Sequence, residues 1–405
     1  MNPKKKAPKH TNLRVNGQSN GQSNGRPNGQ SIGQSADYVE LSVASIDHKR
    51  LEEPDIGYIA QLLRAHPEDE AESLFRCADR VRKRSVGDSV HVRGIIEFSN
   101  YCSRNCLYCG LRRDNGRLKR YRMTPDEIIA VSKTAIQNGY RTIVLQSGED
   151  PYYSASDIAR IVDRIKDLGD VAVTLSVGER SHSEYATMKA AGADRFLLKH
   201  ETADPDLYRK LHPGKSLDER IECLKSLKDL GFQIGSGFII GLPSQTVSTI
   251  ARDIALLKEL DVDMAGIGPF IPHPDTPLAS HPAGDVMLTL KTLALARLIL
   301  PHAHLPATTA LSTLHRDGRR LALSSGANVI MPNITPARYR ELYEIYPDSA
   351  SLSDPEDGGI REVAEMLESM GRRLSKTRGD SFRRRRQSEH SRAQGLLDMH
   401  GRLRR

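Results

Sequence analysis

Tryptophan is absent from this 405-residue chain, aromatic residues supply only 5% of it, and there are just five cysteines. So few cysteines exclude a disulfide scaffold, and a chain of this length can bury a sufficient core without one. No apolar run reaches the roughly 18–20 residues that a membrane-spanning helix requires. Lys4, Lys5 and Lys6 open the sequence, but Asn, Gly, Gln and Ser follow where a signal peptide needs an apolar stretch, so secretion is not expected. A reducing, cytoplasmic setting is expected. An organellar address is the minor alternative, because residues 1–36 carry no acid but are poor in Arg and amphipathic periodicity. Uniform charge is lacking too. The net +8 comes from the ends: residues 1–36 hold six Lys/Arg and no acid, residues 371–405 hold twelve Lys/Arg against three acids, and residues 37–370 sum to −7. A nucleic-acid groove built into the body is therefore disfavoured.

What is present divides the chain into five segments. Residues 1–36 contain the repeat Asn16-Gly17-Gln18-Ser19, Asn20-Gly21-Gln22-Ser23 and degenerate copies, which reads as a disordered basic tail. Residues 37–90 form a helical extension, with helical periodicity over 58–84. Residues 351–370 read as a C-terminal helix, and residues 371–405, with Arg383 to Arg386 in a row, as a solvated basic tail able to hold polyanions non-specifically. Between them, in residues 91–350, strand-like runs lie near 92–97, 142–146, 172–175, 195–199, 234–240, 264–270, 304–308 and 327–331. Helical periodicity fills most of the gaps. Strands separated by helices imply parallel βαβ units, and eight of them imply an α/β fold of the complete (β/α)8 TIM-barrel type. A doubly wound open sheet is second, weakened because no Gly-rich dinucleotide fingerprint follows the first strand.

Directly after that first strand comes Cys102-Ser-Arg-Asn-Cys106-Leu-Tyr-Cys109. Barrels keep their chemistry in such loops at the C-terminal strand ends. Three soft thiolates select an iron–sulfur centre or zinc. On a [4Fe–4S] cube, three cysteines leave one iron open to an outside ligand; structural zinc needs a fourth protein ligand. His91 is the nearest histidine, at the far end of the strand. Cys77 and Cys223 sit in apolar helical patterns and read as core.

The Cys-x3-Cys-x2-Cys loop resembles that of the radical S-adenosylmethionine (SAM) superfamily. That resemblance implies metal ligation by Cys102, Cys106 and Cys109, SAM on the open iron, and cleavage of SAM to a 5′-deoxyadenosyl radical. Longer strings are similar to the FeFe-hydrogenase maturase family within it: Asn105 to Asp114, Leu145 to Tyr152, His200-Glu-Thr202, Gly266 to Leu278, Pro306 to Thr309 and Gly326 to Asn333. The resemblance covers roughly 60–350. It implies SAM contacts from Tyr108, Ser147, Gly148, Glu149, Ser176, Glu201 and Arg220. Taken singly, Ser147-Gly148-Glu149 is a turn with an acid, and Glu201 and Arg220 read as members of surface ion pairs. The substrate cavity implied by the resemblance comprises Gln146, Ser147, Thr174, Lys199, Met264, Ile271, Thr308, Thr309 and Tyr346. On composition alone, Met264 and Ile271 would be core and Thr308-Thr309 plain strand. Pro269, Pro272, Pro274 and Pro277 stiffen the loop around His273, which reads as a solvated imidazole.

Two positions depart from the family pattern. Lys199 stands where an Arg is expected, which keeps the charge but loses a planar fork. No cysteine lies beyond Cys223, so the three-cysteine site for a second cluster is missing and a single cluster is expected. The implied activity is maturation of the di-iron subcluster of the hydrogenase from a small iron carbonyl–cyanide–cysteine precursor. The implied partners are a reductant such as ferredoxin or flavodoxin and other hydrogenase maturases. A related barrel acting on an amino acid, such as methylornithine synthase, or inserting sulfur like biotin synthase, is the second reading. The non-enzyme alternative is a zinc-stabilised nucleic-acid-binding protein using the basic tails; Phe382 is the only aromatic in 371–405, so stacking platforms are scarce.

Overall fold

The computed structural model describes residues 46–65, 68–353, 355 and 359–381; the Asn-Gly-Gln-Ser repeat, Phe382 and the Arg383–Arg386 run lie outside them. The strands are β1 (Ser89–Val92), β2 (Gly94–Ser99), β3 (Thr142–Ser147), β4 (Ala172–Ser176) and β5 (Arg195–Leu197), then β6 (Gln233–Ile240), β7 (Met264–Pro269), β8 (Pro306–Ala307), β9 (Val329–Ile330) and β10 (Arg373–Leu374). All their pairings are parallel, in the orders β2-β3-β4-β5-β6-β7 and β10-β1-β9-β8. Only Arg93 separates β1 from β2, and a parallel bridge between Met264 and His304 leads β7 into β8. The ladder thus passes through eight positions and returns to its start, as a (β/α)8 barrel requires. An open doubly wound sheet is ruled out.

Local chemistry sets the element boundaries. Five helices between strands begin with a capping box, at Thr124, Ser154, Ser181, Ser216 and Thr246, where side chain and backbone satisfy each other's orphan groups. Along the strands, the period of two decides what lies inside. Ile96, Phe98, Ile143 and Leu145 join Ile128, Ile158 and Ile161 of the flanking helices in the core. Their neighbours Ile95, Glu97, Val144 and Gln146 face the barrel interior. Helices Ile56–Ala65 and Glu68–Val86, from the expected extension, pack on Val247–Glu259 and Val286–Ile299. Cys77 is buried in the core and Cys223 packs against it, as their helical patterns suggest.

The segment after Gly371 departs from the tail reading. Arg373 and Leu374 pair with Ser89 and Val90, and residues 378–381 lie across the mouth formed by the strands' N-terminal ends. The cause is Arg195, whose side chain at the start of β5 is fully buried and needs partners. Its guanidinium donates to Asp380 Oδ1 (2.9 Å), the Arg378 carbonyl (2.7 Å), Gln233 Oε1 (3.2 Å) and Thr142 Oγ1 (3.3 Å). Asp380, the one acid between Gly371 and the Arg383–Arg386 run, is what net charge concealed.

Candidate active site

The loop leaving β2 is fixed by backbone hydrogen bonds on four sides. Gly148 N donates to Ser99 O (3.1 Å), Ser103 N to Glu149 O (2.8 Å), Leu107 N to Leu211 O (3.0 Å) and Gly110 N to Ile345 O (2.9 Å). Two glycines allow this closeness. A methyl group on Gly148 would lie 2.2 Å from the Tyr101 carbonyl oxygen, and one on Gly110 would lie 2.0 Å from that of Glu344 and 2.5 Å from the His273 ring. His273 is therefore not the solvated imidazole its proline-rich loop suggested; it is 1% exposed and accepts from Asp275 N (3.0 Å).

Cys102, Cys106 and Cys109 are all free thiols on this loop, each half-buried. Burial raises all three pKa values; Cys106, which also feels Cys102, is pushed up to about 12. Such thiols stay protonated unless a metal takes the proton's place. Among the described residues no three His, Cys, Asp or Glu side chains are grouped to hold a single ion.

Charged side chains surround the loop. Arg104 pairs with both Glu149 and Glu179, and Arg220 reaches Glu179 (2.7 Å) and Glu149 (3.8 Å), with Lys215 at 3.4 Å from Glu179. Arg220 is buried, not a surface residue; burial works against its charge, and Tyr208, Glu179 and Glu149 more than offset that. Burial instead raises the Glu149 carboxyl, opposed by Arg104 and Arg220. Glu201 sits after β5 with a left-handed φ of 65° and pairs with Lys199 (3.0 Å). Burial would raise its pKa, but Lys199, His212 and Arg220 together hold it below the ordinary carboxylate range. Tyr108 shares a hydrogen bond with His212 Nε2 (2.9 Å). Ser147 Oγ donates to the Gly148 carbonyl (2.7 Å), and Ser176 ends β4 in register with Gln146.

Beneath this layer the barrel encloses a cavity of about 300 Å³. Gln146, Thr174, Lys199, Met264, Ile271, Thr308, Thr309 and Tyr346 line it, and so do Tyr108 and Glu201; Ser147, also expected there, is not among the lining residues. The hydroxyls of Thr174 and Thr308 are buried without hydrogen-bond partners, as expected of groups meant for a ligand. Among the lining residues that escaped the sequence reading are Arg93, Glu97, His304 and Asn333. Arg93 is buried, with its Nη1 at 2.7 Å from the Met264 sulfur. Glu97 accepts from Asn333 Nδ2 (2.6 Å), and burial lifts its carboxyl to about 8. For Arg93 and Glu97, two charges four residues apart in an apolar run were the available signal. Arg104 and Glu179 gave none.

A family model described as the Radical SAM superfamily matches residues 96–257. The [FeFe] hydrogenase maturase subunit HydE of Thermotoga maritima is 55% identical over 302 residues, 75% of this chain and 86% of that protein. The 3-methylornithine synthase of Methanosarcina acetivorans is 31% identical over 312 residues, 76% of this chain and 87% of that protein. Among solved structures, methylornithine synthase (PylB) superposes with a TM-score of 0.70 at 27% identity, covering 81% of this chain and 97% of that one. The maturase HydG, at 18% identity and a TM-score of 0.69 over 84% and 76% of the two chains, shares the fold.

Proposed function

Because the chain belongs to the radical SAM superfamily, and within it to the HydE family, we propose that it matures the di-iron subcluster of FeFe-hydrogenase by acting on a small iron carbonyl–cyanide–cysteine precursor. Family membership implies a [4Fe–4S] cluster and SAM, which sets aside the zinc-stabilised nucleic-acid reading. When bound, the reduced cluster supplies the electron that cleaves SAM and yields a 5′-deoxyadenosyl radical.

The protein's own residues bind, orient and seal. Cys102, Cys106 and Cys109 would hold the single cluster, with SAM as its outside ligand. Ser147, Gly148 and Glu149 cradle the methionine end, with Glu149 held in place by Arg104 and Arg220. Ser176, Glu201 and Arg220 bind polar groups of SAM, and Tyr108 packs beside it. Gln146, Thr174, Lys199, Met264, Ile271, Thr308, Thr309 and Tyr346 receive the precursor. An enclosed barrel keeps water from reactive intermediates. A ferredoxin or flavodoxin supplies electrons, and other hydrogenase maturases deliver or accept the small complex. A cytoplasmic setting fits the low-potential chemistry, and no helix among the described residues is long and apolar enough to cross a membrane.

One observation carries this reading: the cavity reaches from Tyr108 of the cysteine loop to all eight of the proposed precursor residues. The test is anaerobic reconstitution with iron and sulfide, followed by EPR with and without SAM and an assay for 5′-deoxyadenosine. A [4Fe–4S] signal that shifts with SAM and is lost in Cys106→Ala is expected. Stoichiometric zinc without SAM cleavage would refute it. The relationship to 3-methylornithine synthase favours a second reading, radical chemistry on an amino acid. Product analysis with free amino acids set against the iron precursor separates the two.

A further inference from the structure

Electrons for the proposed cluster must come from outside the protein, and transfer weakens steeply with distance. The surface beside Cys102 on the Tyr101 side is unusual. Tyr101, its neighbour in sequence, carries the Arg122 guanidinium 3.7 Å above its ring, and the other side of Arg122 is covered by Tyr152 at 4.5 Å. The sandwich is locked from behind. Asp150 accepts from Arg122 Nε (2.7 Å) and Nη2 (2.9 Å) and from Tyr152 N (3.1 Å). Tyr152 is 66% exposed and is the only exposed aromatic side chain among the described residues. A rigid, outward-facing Tyr backed by Arg is the side-chain chemistry typical of an interface anchor.

Beside it runs the segment following Cys109. Arg120 ties it to the same tyrosine: its guanidinium lies 6.0 Å from the Tyr101 ring and donates to the carbonyls of Asn100, Leu111 and Arg112. From Arg112 to Arg122 there are six basic residues and one acid, Asp114. Allowing for Asp150 and Asp275, which pair with Arg122 and Arg117, a surplus of three positive charges remains. The body as a whole is negative, at −7. Arg117 is 84% exposed and Arg113 64%.

We propose that the face made by Tyr101, Arg122 and Tyr152 with the Arg113–Lys119 rim is the docking surface for a small acidic one-electron carrier protein. It deepens the function proposed above and rests on it. The carrier loses one electron and the cluster gains it; no bond forms or breaks. Charge complementarity names the occupant, since a positive island on a negative body steers an acidic partner to this place and away from others.

The test uses full-length protein with flavodoxin and, in parallel, ferredoxin as probes. Binding of the oxidised carrier is titrated at about 0.05 M and about 0.5 M salt, a range over which exposed charges become screened. It is measured with and without the reconstituted cluster, so the readout does not depend on turnover. Tyr152→Ala is expected to weaken binding about tenfold or more at both salt concentrations. The triple change Arg113→Glu, Arg117→Glu, Lys119→Glu is expected to do so at low salt and to lose most of its effect at high salt. Cluster reduction by the reduced carrier slows in proportion, while SAM cleavage driven by dithionite stays at the level of the unmodified protein. That control also shows that the variants fold. Unchanged binding and unchanged carrier-driven reduction in both variants would overturn the proposal, as would no saturable binding of either carrier. Failure of dithionite to drive SAM cleavage in the unmodified protein would instead overturn the radical SAM reading, and the cluster-free titration would still decide the docking question.

Discussion

Gly148→Ala isolates the geometry of the cysteine loop with one methyl group. Gly148 has no left-handed backbone angle, so alanine incurs no conformational penalty there and the effect is purely one of space. The added carbon falls 2.2 Å from Tyr101 O, 2.8 Å from Cys102 Cβ and 2.9 Å from Tyr101 C. Ordinary contact begins near 3.4 Å, so the Tyr101–Cys102 backbone must retreat by about 1 Å. Neither neighbour is a flexible side-chain tip, and overpacking of this kind costs about 1–3 kcal/mol. At roughly 2.1 cal/mol/K per residue over about 330 described residues, Tm falls by only about 1.5–4 °C. Function is hit far harder, because a misplacement of about 1 Å at a reacting centre costs on the order of a hundredfold in rate. Thermal unfolding, iron content per chain, the SAM-dependent EPR shift and 5′-deoxyadenosine formation are the measurements. Gly116→Ala serves as the control, with nothing within 4 Å of the added carbon and no left-handed angle. A Gly148→Ala protein with full iron content and an unaltered rate of SAM cleavage would show that the loop is not held against Cys102 as described.

Asp380→Ala strands the buried Arg195 guanidinium and is expected to cost about 2–4 kcal/mol, read from urea midpoints. Burial works to raise the Asp380 carboxyl, but Arg195, Gln233 and Arg378 more than offset it and hold it below the ordinary range. Its contribution is thus present above the ordinary carboxylate pKa and lost as pH falls through the lowered one, a loss the variant does not show. Glu97 has the opposite sign. With its folded pKa raised to about 8 by burial, the folded state keeps a proton that the unfolded chain releases, so stability falls as pH rises from the ordinary carboxylate range to about 8. Glu97→Gln flattens that part of the stability profile. Lys199→Met leaves the Glu201 carboxylate without its ammonium partner and is expected to weaken SAM binding, by anaerobic calorimetry, by about 2 kcal/mol or roughly thirtyfold; Lys199→Arg keeps most of the affinity.

Much of the architecture was legible because strand and helix periodicities differ and every expected strand carries a β-branched or apolar run. Capping boxes at Thr124, Ser154, Ser181 and Ser216 marked helix starts in the letters themselves. The cysteine loop was readable from spacing, whereas the eight cavity residues were readable only through family resemblance, since Met264 or Thr308 alone looks like core. His273 was misread because a proline-rich loop suggests exposure, while its burial depends on Gly110, far away in sequence. Arg195 and Asp380 were missed for a similar reason. Their pairing spans 185 residues, and no local pattern encodes it. The cavity-lining Arg93 and Glu97 were in plain view as charges four residues apart in the first apolar run, where a buried segment has no use for them except inside.

The pairing of Arg195 with the segment at Arg378–Asp380 also sets a timetable. At about 5–20 residues per second, a ribosome needs on the order of 10–40 s to add the residues between them. Over that interval β6 to β9 join β1 to β5, while Arg195 has only water, Thr142 and, once it is made, Gln233 to bond. A nascent chain stalled before residue 378 would therefore hold a nearly complete barrel with a wet, positively charged base, the form in which a chaperone or protease would first meet it.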